Sequence, residues 1–244
     1  MKIIITMAGR GSRFKNEGIE TLKHRLNVRD RTIFNYALSS LSAFFDEGFV
    51  FVTRAANDDG PFIREQCADL GIDEFDIVEL ESVTDGQATT ALAADRYVDD
   101  EDAIAIYNID TYIEEGTLRP ADIEGDGWIP VFSVPGDKWS FVEREQDGTV
   151  TAVAEKERIS DLATVGFYHF ATWRSFKDAY DAMREAVTEE YGETYICPLY
   201  SWLIDNGDRV TATEIDADSV HVLGTPDDVV AFEPAFAERH DLDL

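Results

Sequence analysis

The sequence is poor in cysteine and lacks long apolar runs. Its 244 residues include two cysteines, Cys67 and Cys197, which lie far apart and form no Cys-x-x-Cys pair. The sequence therefore argues against a disulfide framework and a cysteine zinc site, and we expect a reducing, cytoplasmic setting. No apolar stretch approaches the roughly 18 residues of a membrane helix, and the apolar run at residues 3–5 is too short for a signal peptide.

Basic residues are also scarce. The chain carries 21 Lys and Arg against 50 Asp and Glu, which gives a formal net charge of -29. Because binding to nucleic acid needs a basic face, this balance argues against nucleic acid as a partner. Apolar residues still make up 44% of the chain, unlike a disordered acidic chain. Since the Debye length falls to about 3 Å at 1 M salt, the charge predicts a salt-rich cytoplasm, as in halophilic archaea, with an ordinary acidic protein as the alternative.

Strand and helix patterns alternate along the first half of the chain. Strands are predicted at residues 3–7, 49–53, 76–80 and 103–107, and helices at 32–44, 61–70 and 87–95. This alternation is typical of an α/β fold with a parallel sheet. After residue 125, strands are predicted at 128–134, 141–144, 150–155, 164–170 and 209–215, and helices at 173–189, 197–206 and after Thr225. No linker separates the two halves, so we predict a single domain.

The first strand ends in a glycine-containing loop at residues 7–14. Gly9 and Gly11 allow backbone N–H groups to approach an anion, and Arg10 and Arg13 carry guanidinium groups that can chelate phosphate. The loop is not a dinucleotide fingerprint, since no third glycine follows, and no P-loop string occurs in the chain. Taken alone, it is either an anion site or a tight turn between a strand and a helix.

Polar residues also follow the third and fourth predicted strands. The segment 84–87, Thr-Asp-Gly-Gln, comes after the third strand, and Asp110 comes after the fourth. Since ligands of open α/β sheets bind beyond the carboxyl ends of the strands, we expect both to lie beside the first loop. A carboxylate at this place is suited to Mg²⁺ held against phosphates, with a turn aspartate as the alternative.

Lysine is rare, and two of the six lysines have positions that favour anion binding. Lys23 follows the first loop, and Lys156 ends a strand after Glu155. The alternative for each lysine is a solvated surface position. Trp139 and Tyr168 are aromatic candidates for stacking on a sugar or a base, with core packing as the alternative.

Together these segments resemble the sugar-phosphate nucleotidyltransferases, in particular the type found in capsule and surface-polysaccharide gene sets. The matching segments are residues 7–14 with Lys23, 84–90, 108–110, 139–141, 155–168 and 224–228. The resemblance covers almost the whole chain. It implies a Rossmann-like α/β nucleotidyltransferase fold with a mixed, mainly parallel sheet, formed by one domain over residues 1–244. Residues 1–125 would be the nucleotide-binding half and residues 126–244 the sugar-phosphate-binding half.

The resemblance also implies a role for each matching residue. The nucleotide-binding residues would be Ala8, Gly9, Gly11, Ser12, Arg13, Gly86 and Gln87. The residues that meet the sugar phosphate would be Lys23, Glu155 and Lys156. Catalysis would depend on Arg13, Lys23 and Asp110, with Arg13 stabilising the departing pyrophosphate and Asp110 binding Mg²⁺.

The chain departs from the family pattern at two points. Leu22 stands before Lys23, where the family loop usually has proline. Many members also place a second metal-binding aspartate just before the Gly-Thr turn, but residues 221–223 here are His-Val-Leu. Asp227 or Asp228 could replace that aspartate. Equally, both could be first-turn residues of the helix that Thr225 caps.

The expected reaction transfers a nucleotidyl group from a nucleoside triphosphate to a sugar 1-phosphate and releases pyrophosphate, with Mg²⁺ as cofactor. Two alternatives stay open, a nucleotide-sugar-dependent glycosyltransferase and a non-catalytic nucleotide-binding regulatory module. The sequence leaves open the base, the sugar or a phosphocholine-type acceptor, and whether the protein forms an oligomer.

Overall fold

The computed structural model describes residues 1–242, which form fourteen strands and eight α-helices. The strands are β1 Lys2–Thr6, β2 Asn27–Val28, β3 Arg31–Thr32, β4 Gly48–Arg54, β5 Phe75–Leu80, β6 Ile104–Asn108, β7 Thr111–Ile113, β8 Gly127–Ser133, β9 Ser140–Arg144, β10 Val150–Glu155, β11 Leu162–Thr164, β12 Phe167–Phe170, β13 Val210–Glu214 and β14 Val220–Val222. The helices are α1 Ser12–Asn16, α2 Ile33–Ser39, α3 Gly60–Leu70, α4 Gln87–Leu92, α5 Trp173–Tyr191, α6 Tyr200–Asp205, α7 Pro226–Phe232 and α8 Ala235–Arg239. Within residues 1–242, no helix has the length and apolar character needed to span a membrane.

Ten strands form one mixed sheet with helices on both faces. The sheet order is β10-β9-β11-β8-β12-β6-β1-β4-β5, and β13 pairs with β8 outside this row. The neighbours β6, β1, β4 and β5 are parallel, whereas β12 is antiparallel to both β6 and β8. Helices α2 and α3 pack on one face of the sheet, and α4, α5 and α6 pack on the other. This three-layer arrangement confirms the α/β class with a mixed central sheet.

The alternating elements of the first half are confirmed with shifted ends. The helices predicted at residues 32–44 and 197–206 each contain a short 3-10 turn, at Ser42–Phe44 and Cys197–Leu199. The helix predicted at residues 87–95 ends at Leu92, and a 3-10 turn follows at Asp95–Tyr97. The single strand predicted at residues 164–170 is wrong, because the chain forms β11 and β12 there. Gly166 separates them with a φ of 83°, and a Cβ atom at this position would collide with the Asn108 side chain.

In addition to the apolar layers on the two faces of the sheet, a third apolar cluster joins residues 14–36 to α7 and α8. Its buried side chains are Phe14, Ile19, Leu26, Val28, Ile33 and Tyr36, together with Leu223, Val229 and Phe236. Arg29 reinforces the contact, since its guanidinium donates to the Phe232 carbonyl at 2.7 Å and lies 3.8 Å from the centre of that ring. Helices α7 and α8 therefore support the segment that follows the first loop.

His169 on β12 is a buried histidine whose Nδ1 has no hydrogen-bond partner within the described chain. Only 4% of the residue is exposed, and burial, followed by the nearby N-terminal ammonium, lowers its pKa to about 4. The unfolded chain binds a proton on this histidine at a higher pH than the folded protein does. His169 therefore makes the folded state less stable as the pH falls through about 6.5 towards 4.

We expect the His169→Phe variant to lose this part of the pH dependence. Between pH 7.5 and pH 5, the free energy of unfolding of the wild type should fall by about 2 kcal/mol more than that of the variant. Chemical denaturation at both pH values in molar KCl measures the difference, with the half-exposed His240→Gln as the control. Equal slopes for the wild type and His169→Phe would contradict the assignment.

Candidate functional site

The carboxyl ends of β1, β4, β5 and β6 open onto a cleft of about 770 Å³. Its walls come from the loops after these strands, with additional residues from the second half of the chain at positions 192, 193 and 224. The predicted site residues that line it are Ala8, Gly9, Gly11, Ser12, Arg13, Lys23, Gly86, Gln87 and Asp110. The expected convergence of the three loops on one edge is confirmed, while the role of each residue stays a prediction.

The first loop presents cations to this cleft. Gly11 has a φ of 61° and a ψ of 27°, a left-handed conformation that glycine adopts readily, and it precedes the short helix α1. Arg10, Arg13 and Lys15 all line the cleft, and none of them forms an ion pair within residues 1–242. In a chain with 50 acidic residues, three unpaired cations in one cleft indicate a site for an anion of several charges.

Lys23 and Asp110 form an ion pair on the floor of the cleft. Lys23 Nζ lies 2.7 Å from Asp110 Oδ2, and the two side chains are 20% and 28% exposed. Burial favours the neutral form of Asp110, but Lys23 and then Arg13 outweigh it, so the pKa of this carboxyl lies below its ordinary value. Asp110 is therefore ionised at neutral pH, and a cation already neutralises it.

The loop at residues 84–90 is fixed by contacts with the chain that follows α5. A Cβ atom on Gly86 would collide with the backbone of Thr194, which explains the glycine independently of any ligand. Thr194 accepts from Ala88 N at 2.9 Å and donates to Asp85 O at 2.9 Å through its backbone. Gln87 donates its side-chain amide to Asn108 and to Thr6 Oγ1, which leaves its own carbonyl oxygen free of these bonds.

Glu155 and Lys156 are not among the residues that line the cleft. Glu155 is 4% exposed and accepts from the Ser140 hydroxyl; burial raises its pKa. Lys156 has a left-handed φ of 56° and donates to the Tyr195 hydroxyl at 2.5 Å. Tyr195 belongs to the same loop as Glu193, a cleft residue, so the pair lies near the cleft rather than within its wall.

Tyr168 and Trp139 have structural contacts. Tyr168 is buried, and its hydroxyl pairs with Thr164 Oγ1 at 2.9 Å. Trp139 packs edge to face against Phe132 at 5.4 Å between ring centres. For both aromatic residues, the structure favours the core-packing alternative.

Several residues that line the cleft are not predicted from the sequence. The most notable are His24, Asn57, Gly192 and Glu193. Gly192 ends α5 with a φ of 78°, so the glycine signals the end of a helix. Nothing in the local sequence indicates that the loop after Gly192 reaches the cleft. Its position depends on the contact between Thr194 and Gly86, which are far apart in the sequence.

Two further aspartates, Asp227 and Asp228, lie in the first turn of α7, after the cleft residue Gly224. Thr225 Oγ1 accepts from Asp228 N at 3.1 Å, and Asp228 Oδ2 accepts from Thr225 N at 2.9 Å, which is a reciprocal capping box. Asp227 is exposed and does not line the cleft. These contacts favour the helix-start interpretation of both aspartates over a metal-binding one.

We expect Asp228→Ala to cost about 1 kcal/mol of folding free energy, because it removes one half of the capping box. Turnover of the folded variant should be unchanged. Thr225→Ala is the matched control, since it breaks the same box and keeps the carboxylate. A loss of turnover in Asp228→Ala that Thr225→Ala does not share would instead identify the carboxylate as a ligand.

The donor set fits one kind of metal site only. Within residues 1–242, no three His, Cys, Asp or Glu side chains form a group that could enclose a metal ion. Asp110 offers a single ionised carboxylate at the cleft floor. Mg²⁺ commonly uses one or two carboxylates and completes its shell with substrate phosphates and water. The residues present therefore fit a Mg²⁺ ion that is shared with a phosphate ligand.

No family model matches the chain, and no curated protein does so either. Among solved structures, the nucleoside-diphosphate-sugar pyrophosphorylase from Vibrio cholerae RC9 shares 35% of its residues with this chain, at a TM-score of 0.87, over 95% of this chain and 99% of the other. Two more distant structures show the fold alone, and each aligns over 100% of this chain and 97% of the other. They are the inositol-1-phosphate CTP transferase from T. maritima, at 16% identity and a TM-score of 0.76, and a candidate glucose-1-phosphate thymidylyltransferase from Bacillus anthracis, at 18% identity and a TM-score of 0.77. The cleft, its cations and the identity over nearly the whole length of the Vibrio protein agree, and the chain belongs to the sugar-phosphate nucleotidyltransferases, the family of the nucleoside-diphosphate-sugar pyrophosphorylases.

Proposed function

We propose that the protein transfers a nucleotidyl group from a nucleoside triphosphate to a sugar 1-phosphate, giving a nucleotide sugar and pyrophosphate. The observation that carries the proposal is the presence of three cations without an acidic partner, Arg10, Arg13 and Lys15, in the same cleft as the Lys23–Asp110 pair. Two substrates that together carry several phosphate groups need such a concentration of positive charge. The name of the Vibrio relative, a nucleoside-diphosphate-sugar pyrophosphorylase, refers to the same chemistry.

The proposed reaction is a direct displacement. A nonbridging oxygen of the sugar 1-phosphate attacks the α-phosphorus, and the bond from that phosphorus to the α–β bridging oxygen breaks. Pyrophosphate leaves with the electron pair, so no proton has to be removed from the nucleophile. The chain therefore needs to position two anions and stabilise charge, and it needs no covalent intermediate.

Each predicted site residue has a role in this proposal. Backbone groups of the first loop and the side chains of Ser12 and Arg13 would hold the triphosphate, and Arg13 would neutralise charge on the departing pyrophosphate. Lys23 would contact phosphate, and Asp110 would hold Mg²⁺. When bound, Mg²⁺ would neutralise phosphate charge that the cations leave uncompensated. Gly86 and Gln87 would lie near the base, and Glu155 and Lys156 would meet the sugar phosphate.

We expect the protein without nucleotide to show no tight Mg²⁺ site in molar KCl. Asp110 supplies one carboxylate, and Lys23 already occupies it at 2.7 Å. Mg²⁺ also gives up its water reluctantly. Calorimetric titration measures this, with and without a nonreacting nucleoside triphosphate analogue, and binding should appear only with the analogue. Tight binding to the protein alone would contradict the expectation.

A panel of substrates tests the function. The four common nucleoside triphosphates are combined with several sugar 1-phosphates and with phosphocholine in molar KCl, and pyrophosphate release is measured. At least one pair should give release that depends on both substrates and on Mg²⁺. No release from any pair, by a folded protein that binds nucleotide, would favour a non-catalytic binding module.

One alternative function, that of a nucleotide-sugar-dependent glycosyltransferase, fits the site less well. A glycosyltransferase would usually carry a second carboxylate two residues before Asp110, but Asn108 stands there and binds Gln87. From the net charge of -29 we also infer that the protein acts in a salt-rich cytoplasm, and from the resemblance that it acts in polysaccharide biosynthesis. The substrate panel can be repeated at several concentrations of KCl and Mg²⁺ to test the dependence on both.

A further inference from the structure

The 3-10 turn Lys23–Arg25 is attached to one buried carboxylate, that of Asp59, which is 0% exposed. Asp59 Oδ1 accepts from His24 Nε2 at 2.8 Å and from Arg25 at 3.0 Å through Nε and 2.6 Å through Nη2. The hydroxyl of Thr53 donates to the other oxygen of the carboxylate. Two consecutive residues of the turn are therefore held by the same side chain.

Burying a carboxylate costs several kcal/mol of folding free energy unless hydrogen-bond donors replace the lost water, so the burial of Asp59 needs an explanation. Burial raises the pKa of Asp59, but His24, Thr53 and Arg25 outweigh this and hold the pKa well below its ordinary value. The donors come from separate parts of the chain, the turn itself and the end of β4, while Asp59 directly precedes α3. The contacts thus fasten the turn to the sheet.

The backbone of the turn has no covalent restraint of its own. Leu22, which precedes Lys23, has a φ of -57°, the value that a proline ring would impose. Leucine does not fix this angle, so the geometry has to be maintained by contacts. Arg25 adds bonds to the carbonyls of Asn57 and Asp58 at 3.0 and 2.8 Å, on the loop that carries Asp59.

We propose that Asp59 is a positioning residue for Lys23. By holding His24 and Arg25, it fixes the backbone from which Lys23 Nζ reaches the cleft floor, 2.7 Å from Asp110. Asp59 itself touches no substrate in this proposal. The inference rests on the proposed function for its turnover measurement, and on the binding of a phosphate anion for its second measurement.

A double-mutant cycle with Asp59→Asn and Lys23→Ala tests the proposal. Turnover and the affinity for inorganic pyrophosphate, measured by calorimetry, are determined for the wild type, both single variants and the double variant. Asp59→Asn should lower each quantity by about tenfold when Lys23 is present, because a displaced amino group loses its phosphate contact. In the Lys23→Ala background, the same change should alter them by less than about twofold. Equal factors in both backgrounds would overturn the proposal.

Ile63→Ala is the matched control for general loosening. Ile63 is buried on α3, one turn from Asp59, and packs into the core beneath the sheet. The Ile63→Ala variant should have a lower unfolding midpoint and unchanged turnover and pyrophosphate affinity. A fall in turnover or affinity as large as that in Asp59→Asn would contradict a specific role of Asp59 in positioning Lys23.

Thr53→Val keeps the proposal testable if Asp59→Asn does not fold. It removes one donor to Asp59 and keeps the shape of the side chain. Its effect should be about threefold with Lys23 present and should vanish in Lys23→Ala; an effect of equal size in both backgrounds would overturn the proposal. If the wild type releases no pyrophosphate from any substrate pair, the proposed function fails, while the affinity cycle still decides the role of Asp59.

Discussion

Asp110→Asn and Arg13→Ala should each lower turnover by at least tenfold and towards 10²–10³-fold, or about 3–4 kcal/mol, by analogy with the removal of one preorganised donor from a transition state. Arg13 lines the cleft without a carboxylate partner, and Asp110 is an ionised group on the cleft floor. Neither residue contributes to the apolar core, so both variants should fold. Steady-state pyrophosphate release in molar KCl, with both substrates saturating, measures the effect.

Controls with the same charge changes separate the site from the overall field. Arg64→Ala and Asp69→Asn are suitable, since both residues are exposed on α3 and outside the cleft. These variants should retain wild-type turnover. Arg13→Lys should recover part of the loss, because lysine restores the charge but not the paired N–H donors of a guanidinium. Wild-type turnover in folded Arg13→Ala or Asp110→Asn would remove that residue from the site.

The stability of the protein should rise steeply with salt. With a net charge of -29, a charged-sphere treatment of the folded and unfolded chain gives a relief of self-repulsion on the order of 10 kcal/mol between 0.1 and 3 M KCl. This is comparable to the whole folding stability of a typical domain, about 5–15 kcal/mol. Thermal unfolding from 0.1 to 3 M KCl measures the effect. Most of the rise should occur below about 1 M, because the Debye length has then already fallen to about 3 Å.

Choline chloride distinguishes screening from specific binding of potassium. At equal ionic strength it should raise the unfolding midpoint as KCl does if screening dominates. A rise with KCl alone would indicate potassium sites on the acidic surface. A midpoint that stays level or falls with both salts would contradict the interpretation of the charge as an adaptation to salt-rich solvent.

The elements that the sequence predicts well are those whose signal is local. The central strands β1, β4 and β6 are apolar runs that end in polar loops, and each is found within two residues of its predicted bounds. The strands β2, β3, β7 and β14 have two or three residues each, too few to show a period of two. The pairing of β7 with β14 also depends on a partner that is distant in the chain. The break at Gly166 likewise depends on Asn108, a distant residue.

The same distinction applies to the site. Arg13, Lys23 and Asp110 could be predicted to lie together because parallel strands deliver their following loops to one edge. Glu193 could not, since it lies on the loop after α5, and that loop is held in place by backbone hydrogen bonds of Thr194 with Asp85 and Ala88. Asp59 could not either, because an aspartate before a helix is common and its partners His24, Arg25 and Thr53 meet it only in the folded chain.

The third apolar cluster, which joins residues 14–36 to α7 and α8, affects how the protein folds during its synthesis. Residues 14–36, which follow the first loop, leave the ribosome well before Val229 and Phe236, which cover them. Until then Phe14 and Ile19 lack part of their packing, and the segment that bears Lys23 lacks its support. A nascent chain can thus assemble most of its central sheet while the cleft is still unfinished. The segment that bears Lys23 gains its full packing only when α7 and α8 have been made and have packed against it.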